Sequence, residues 1–264
     1  MSEKNYPNLF IRCLVMVGYI LLINITNGLP MMTLALPNGW GLVVGLVSLV
    51  VSFAMIYWLF CQYRKWVVGQ PGSDQLAPDQ PLGDRQDLAA QPAGSAADKN
   101  QGRLAAIKGL GQPNGKLVVI YFLIMRVVVA VLSWLILYLN GDQTTANDQA
   151  IIDAFSQGST VGILVALVVM CLVAPLAEEL IFRGLMTHYL FKGKQTHLTA
   201  IVASLLFSSV HLSTNFLSFF LYFAMGYIMH RAYFQRMKLV DAMAVHALNN
   251  FFATLGVFYL IYFG

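Results

Sequence analysis

Residues 117–139 read LVVIYFLIMRVVVAVLSWLILYL, an apolar run interrupted by a single charge, Arg126. About 20 such residues make a helix long enough to cross a bilayer. Comparable runs recur at about 9–35, 40–62, 159–190, 197–212, 216–235 and 239–262. A soluble fold cannot bury that much apolar surface. Of the 264 residues 58% are hydrophobic and 11% charged, against roughly 45–50% and 25% in soluble domains. Soluble, disordered and fibrous classes are thereby excluded. The pattern predicts an all-α, polytopic integral membrane bundle of about seven transmembrane helices. The first run holds Pro30, where a helix bends or stops early. No small-residue cleavage site follows it, so it is expected to stay in the mature chain. The run at 197–212 is short for a full span and has to be tilted or shielded by neighbours.

The placement of lysine and arginine orients these helices. Lys4 and Arg12 precede or open the first span, and Arg64, Lys65, Arg85, Lys99, Arg103, Lys108 and Lys116 lie between the second and third. Lys192 and Lys194 follow the fourth, and Arg231, Arg236 and Lys238 surround the turn between the sixth and seventh. The alternate loops hold no basic residue, and the loop after the third span carries Asp142, Asp148 and Asp153. By the positive-inside rule the N-terminus is cytoplasmic and the C-terminus outside, with the cell membrane as the expected location. Three units follow: an N-terminal transmembrane hairpin (1–66), a disordered cytoplasmic linker rich in Gln, Asp, Pro, Ala and Gly (67–115), and a transmembrane core (116–264). The net charge of +4 is modest, and no basic stripe with interleaved aromatics suggests nucleic acid. Cys13, Cys61 and Cys171 lie in apolar runs without ligand spacing and read as buried, inert thiols.

Few polar groups remain within the apolar segments: Arg126, Glu178, Glu179, Arg183, His211, Asp241, His246, Asn249 and Asn250. Ionisable side chains are expensive in a bilayer and usually face a bundle interior or a wet cavity, so they are the default candidates for function. Glu179 and Arg183 stand at i and i+4 with the acid first, the favourable order for an ion pair. That pairing leaves Glu178 as the freer carboxylate, suited to base and acid work. Pro175 is expected to loosen the helix one turn before this cluster. His246 and Asn250 share one helical face and offer adjacent donors suited to an oxyanion. Counted at 1.5 Å per residue from the helix ends, Glu178, His211, His246 and Asn250 all lie about 10–20 Å from the basic face, so convergence is feasible. Arg126 is expected to find an intramembrane carboxylate such as Glu179, or a lipid phosphate. Asp241 reads as a helix N-terminal charge, and His188, His197 and His230 read as interfacial. The aromatics between Phe216 and Tyr227 read as lipid-facing packing.

Glu178-Glu179-x-x-x-Arg183, Phe207-x-x-x-His211 and His246-x-x-x-Asn250 resemble, in order and on separate apolar helices, the three motifs of the CPBP intramembrane protease family. This family is also called Abi and includes the CAAX prenyl endopeptidases. The resemblance covers about 159–255. It implies a membrane-embedded endopeptidase, a hydrolase whose substrate is a membrane-associated peptide or protein, prenylated in one branch of the family. It implies that Glu178 and His211 activate water, that His246 and Asn250 stabilise the oxyanion, and that Glu179 and Arg183 support them. Glutamate-dependent hydrolysis without a cofactor is the favoured expectation. A divalent metal such as zinc, held by Glu178, His211 and His246, is the alternative, although no HExxH helix is present. Serine and aspartyl mechanisms fit less well. Ser208 and Ser209 do not face His211 as helical neighbours, and Asp241 has no second intramembrane aspartate. The alternative to an enzyme is a membrane immunity or scaffold protein of the same fold that binds without cutting. A proton-coupled transporter also uses buried Glu and His, but it predicts paired, interrupted spans that are not seen here.

Overall fold

The structure, a computed structural model, describes residues 6–67, 111–141 and 144–263. Most of the segment expected to be a linker lies outside these described residues. Eight helices are present among them: α1 (Leu9–Met31), α2 (Asn38–Val67), α3 (Gly115–Asn140), α4 (Ala146–Ser156), α5 (Thr160–Leu190), α6 (His197–Ser209), α7 (Phe216–Arg236) and α8 (Leu239–Phe263). The described residues contain no strand.

Most helix starts are written in the sequence. Asn8, Asn114, Thr145, Ser159, Thr196 and Asn215 each accept a hydrogen bond from a backbone N–H three residues on. Each satisfies a donor that the first turn leaves orphaned. Gly141, at φ 76°, takes the left-handed conformation that ends α3. α1 stops one residue after Pro30 and passes into a tight turn, Met32–Ala35, that leads to α2.

Five segments are long and apolar enough to cross a membrane: Leu9–Ala35, Asn38–Val67, Gly115–Asn140, Thr160–Leu190 and Leu239–Ile261. The other two expected spans differ. α6 has 13 residues, about 20 Å of rise against a hydrocarbon core of about 30 Å. α7 has 21 residues, but its tyrosines, His230 and Arg231 lower its mean hydropathy. Both lie against other helices rather than standing alone. α4 was not expected at all. It is a short polar helix started by Thr145 in the acidic loop, and it anchors itself by burying Phe155 against Phe258 of α8.

α5 is the axis of the bundle. All residues of its last stretch, Leu180–Leu190, are buried, and α1, α2, α6 and α8 pack around it. α3 lies outside, against α7 and α8. Outward faces of α1, α2 and α3 expose Leu14, Leu21, Val47, Val50, Leu123 and Val127, as a lipid-facing surface requires. Cys13 is exposed on this surface, and Cys61 and Cys171 are half-buried. The expectation of three buried thiols is therefore corrected: apolar neighbours in sequence mark lipid contact as readily as a protein interior.

α5 is not a uniform α-helix. Val169–Val173 and Leu180–Leu190 are π-helical, on either side of the α-helical stretch Ala174–Glu179, whose second residue is Pro175. The loosened turn expected before the carboxylates is present. The basic ends gather on one side. Arg12 bonds the Leu190 carbonyl, Tyr6 donates to the His188 carbonyl at 3.3 Å, and Trp66 packs on Tyr189. At the opposite end the Ser159 N–H bonds the Leu34 carbonyl at 3.1 Å.

The closest approach of α5 to the α1–α2 turn is at Gly162. A Cβ there would lie 2.5 Å from Leu34 Cα and 2.6 Å from the Thr33 carbonyl oxygen. Both are backbone atoms and cannot swing aside. Gly162→Ala is expected to lower stability by about 1–3 kcal/mol through overpacking, read as the thermal unfolding midpoint in detergent. Gly18→Ala, where nothing lies within 4 Å, is the control expected to be neutral. Equal midpoints for the two variants would refute this account of the turn.

Candidate active site

Glu178 and Glu179 come from α5, His211 from the end of α6, and His246 and Asn250 from α8. Glu179 is fully buried. Its Oε1 accepts from His246 Nδ1 at 2.9 Å and lies 3.1 Å from Arg183 Nη1. The i,i+4 ion pair expected from the sequence is present, and it has a third member. Arg183, also buried, donates from Nη2 to the Gly226 carbonyl of α7 at 2.8 Å and sits over the Phe207 ring at 4.8 Å. A buried guanidinium has no water, so carboxylate, carbonyl and ring face must together replace it.

This pairing decides the chemistry of His246. A carboxylate accepts only, so Nδ1 carries the proton and Nε2 is left facing Glu178, whose Oε2 is 3.9 Å away. That distance is too long for a direct hydrogen bond. The carboxylate behind an imidazole fixes its tautomer and ring orientation, as in the Ser-His-Asp arrangement. His211 is oriented in the same way by a different partner. Its Nδ1 donates to the Phe207 carbonyl at 2.8 Å, which leaves Nε2 with a lone pair. Its ring stacks on Tyr222, with centroids 4.5 Å apart, and it lies in electrostatic range of Glu178 and His246.

Asn250 has a definite task. In π-helical register the Ala174 N–H reaches back to the Val169 carbonyl. The Met170 carbonyl would then wait for the N–H of residue 175, a proline, which has none. Asn250 Nδ2 supplies the missing donor at 2.9 Å. One of its two N–H groups is thus committed and the other remains.

Two residues outside the sequence-derived set join the site. Asn27 of α1 donates from Nδ2 to Glu178 Oε1 at 3.0 Å. Its signal was a carboxamide, one of two with Asn24 in an apolar run, weaker than a charge and outside the three motifs. Tyr222, expected among lipid-facing aromatics, is instead buried. Its hydroxyl is 2.8 Å from Thr145 Oγ1 and 3.4 Å from Asp148 Oδ1, which it donates to. Burial pushes the Asp148 carboxyl above its usual range, opposed by hydrogen bonds from Thr145, Asn147 and Tyr222.

Several other expectations are corrected. Arg126 donates to Asn249 Oδ1 at 3.4 Å rather than meeting a carboxylate, because Glu179 is already enclosed by Arg183 and His246. His188 and His230, expected near the cytoplasmic interface, are buried within the protein, because the end of α5 lies inside the bundle. His188 Nε2 pairs with the Tyr233 hydroxyl at 2.8 Å. Asp241 is more than a helix-start charge. It is fully buried and receives the Asn114 N–H at 2.8 Å and Arg236 Nη1 at 3.2 Å, tying the starts of α3 and α8 to the end of α7.

Glu178, His211 and His246 each keep one uncommitted donor atom, and a backing partner for each ring suits a metal as well as a water. Among the described residues, however, no three His, Cys, Asp or Glu side chains lie close enough to form a metal ligand set.

Residues 160–252 match the family described as type II CAAX prenyl endopeptidase, Rce1-like. The matched segment runs from the start of α5 into α8 and holds all three motifs, which bears out the resemblance read from them. It is about a third of the chain, and α1, α2 and α3 lie outside it. Neither a curated protein nor a solved structure matches the chain.

The ion pair gives a test of the site's construction. Glu179→Leu strands the Arg183 charge and is expected to cost about 3–5 kcal/mol, read by thermal unfolding in detergent. Adding Arg183→Met removes the stranded charge and is expected to recover most of that loss. A double variant no more stable than Glu179→Leu alone would count against the pairing.

Proposed function

We propose that the chain is an intramembrane endopeptidase that hydrolyses a peptide bond of a membrane-associated protein. A water held at Glu178 Oε2, on the side that faces His246, attacks the scissile carbonyl. Glu178 takes its proton, with His211 as the adjoining acceptor. His246, backed by Glu179, carries a proton on Nε2 and faces the developing oxyanion. Asn250 lies one turn further along the same face with its remaining N–H. Glu179 and Arg183 hold His246 and do not touch the substrate. Proton delivery to the leaving amine then falls to Glu178, which returns to the carboxylate form.

The observation that carries this reading is the facing of Glu178 Oε2 and His246 Nε2 across 3.9 Å, with each group's other atom engaged by a fixed partner. A water fits between a carboxylate oxygen and an imidazole nitrogen so spaced, whereas a purely structural pair would close to hydrogen-bond distance. The match of residues 160–252 to a peptidase family supports the same reaction class. The site then serves substrates delivered from the end of the bundle that carries the basic residues, which we assign to the cytoplasmic side of the cell membrane. The substrate class is a membrane-tethered peptide, prenylated or otherwise lipid-anchored, with membrane lipids as the surrounding solvent. Water activation here is assigned to protein groups, without a cofactor.

Purified full-length chain in liposomes, with a panel of fluorogenic peptides with and without a lipid anchor, tests the assignment. Glu178→Gln and His211→Ala are each expected to lower cleavage by about 10²–10⁴-fold, and exhaustive chelation is expected to leave the wild-type rate in place. Undiminished cleavage by Glu178→Gln would overturn the role given to that residue. Loss on chelation with recovery on adding zinc would replace the metal-free route.

A further inference from the structure

Asn27 lies on α1, outside the matched segment and outside all three motifs. Its Nδ2 donates to Glu178 Oε1 at 3.0 Å. Its Oδ1 is buried with no hydrogen-bond partner. A carboxamide set into an apolar helix, with one end on the freer carboxylate of the site and the other end unfilled, calls for a physical reason.

The neighbouring residues supply one. Pro30 has no N–H, so the carbonyl of the residue four before it, Thr26, loses its helical partner. Ser52 of α2 donates to that carbonyl at 2.7 Å, and both residues are fully buried. The turn of α1 that carries Asn27 is therefore pinned to α2 by a hydrogen bond that the proline makes available. Asn27 is held still, and through it so is one oxygen of Glu178. With Oε1 occupied, the carboxylate cannot rotate freely, and Oε2 remains directed at His246 Nε2.

We infer that Asn27 is a positioning residue of this site: it fixes Glu178 so that one carboxylate oxygen is free for the attacking water, and its unfilled Oδ1 accepts an N–H or O–H of the bound substrate or water. The N-terminal hairpin thereby completes a site whose other members come from the matched segment. This rests on the endopeptidase reading above.

The test uses the full chain in liposomes with a peptide that the wild type cleaves. Asn27→Ala and Asn27→Leu are each expected to lower kcat on the order of 100-fold with KM unchanged, as loss of alignment does. Asn24→Ala, one turn earlier on the exposed face of α1, is expected to keep the wild-type kcat. Wild-type kcat in both Asn27 variants would overturn the inference, and so would an equal fall in Asn24→Ala. A second readout does not depend on activity. The infrared carboxylate band of Glu178, isolated by subtracting the Glu178→Gln spectrum, is expected to shift when Asn27→Ala removes the donor. An unmoved band overturns the inference whatever the kinetics show. If no peptide is cleaved by the wild type, the protease reading fails; a shifted band then still supports Asn27 as the group that orients Glu178.

Discussion

Glu179 is the joint on which the bundle closes. One carboxylate oxygen meets His246 from α8 and Arg183 one turn on in α5, and Arg183 carries the contact to the Gly226 carbonyl of α7 and the Phe207 ring of α6. Four helices thus converge on one buried negative charge. The approach of α7 needs a glycine: a Cβ at position 226 would lie 3.2 Å from Phe207 Cδ1 and from Ser204 Cα. Removing either member of the Glu179–Arg183 pair strands the other's charge in an apolar interior. The joint is structural and chemical at once, because the arm to His246 also settles which imidazole nitrogen faces Glu178.

A second constraint acts through the prolines. Inside a bilayer, backbone groups that lose their helical partners must find others within the protein. Pro30 frees the Thr26 carbonyl, which Ser52 satisfies. Pro175, in π-helical register, frees the Met170 carbonyl, which Asn250 satisfies. Both prolines create a polar demand on one helix that a side chain of another helix meets. Both bonds are adjacent to the site: the first beside Asn27, the second on the helix face that also carries His246. Helix breakers in this chain therefore act as cross-links, directional ones in a setting where apolar packing alone gives little direction.

These two constraints explain what could be read from the sequence. The order of the apolar helices was legible because most of the apolar runs are long, whereas the short polar α4 was not. Glu178, Glu179, Arg183 and His246 stood out because charge is scarce inside the spans, and the i,i+4 spacing of Glu179 and Arg183 carried over into contact. Asn27 was not legible, because nothing in spacing separates it from an amide that merely faces lipid, as Asn24 does. Tyr222 was hidden in a string of aromatics whose burial alternates, with Phe216 76% exposed and Tyr222 5%. The burial of His188 and His230 was not legible, because position along a helix does not give enclosure, which is set by neighbouring helices. Of the two partners expected for Arg126, Glu179 does not serve, because His246 and Arg183 already share its Oε1.

The path from His211 extends the same logic to the other end of the bundle. The imidazole is held at Nδ1 by the Phe207 carbonyl and on its face by Tyr222. Tyr222 is held in turn by Thr145, the cap of α4, and by Asp148 in its first turn. α4 is secured by Phe155 against Phe258 of α8, the helix that bears His246. Each histidine of the site is therefore fixed from behind, His246 by a buried ion pair and His211 by a stacked tyrosine tied to a polar helix. Glu178 and His246 sit on long helices and His211 just past the end of a short one, and each keeps one atom, Glu178 Oε2 or an imidazole Nε2, outside these bracing contacts.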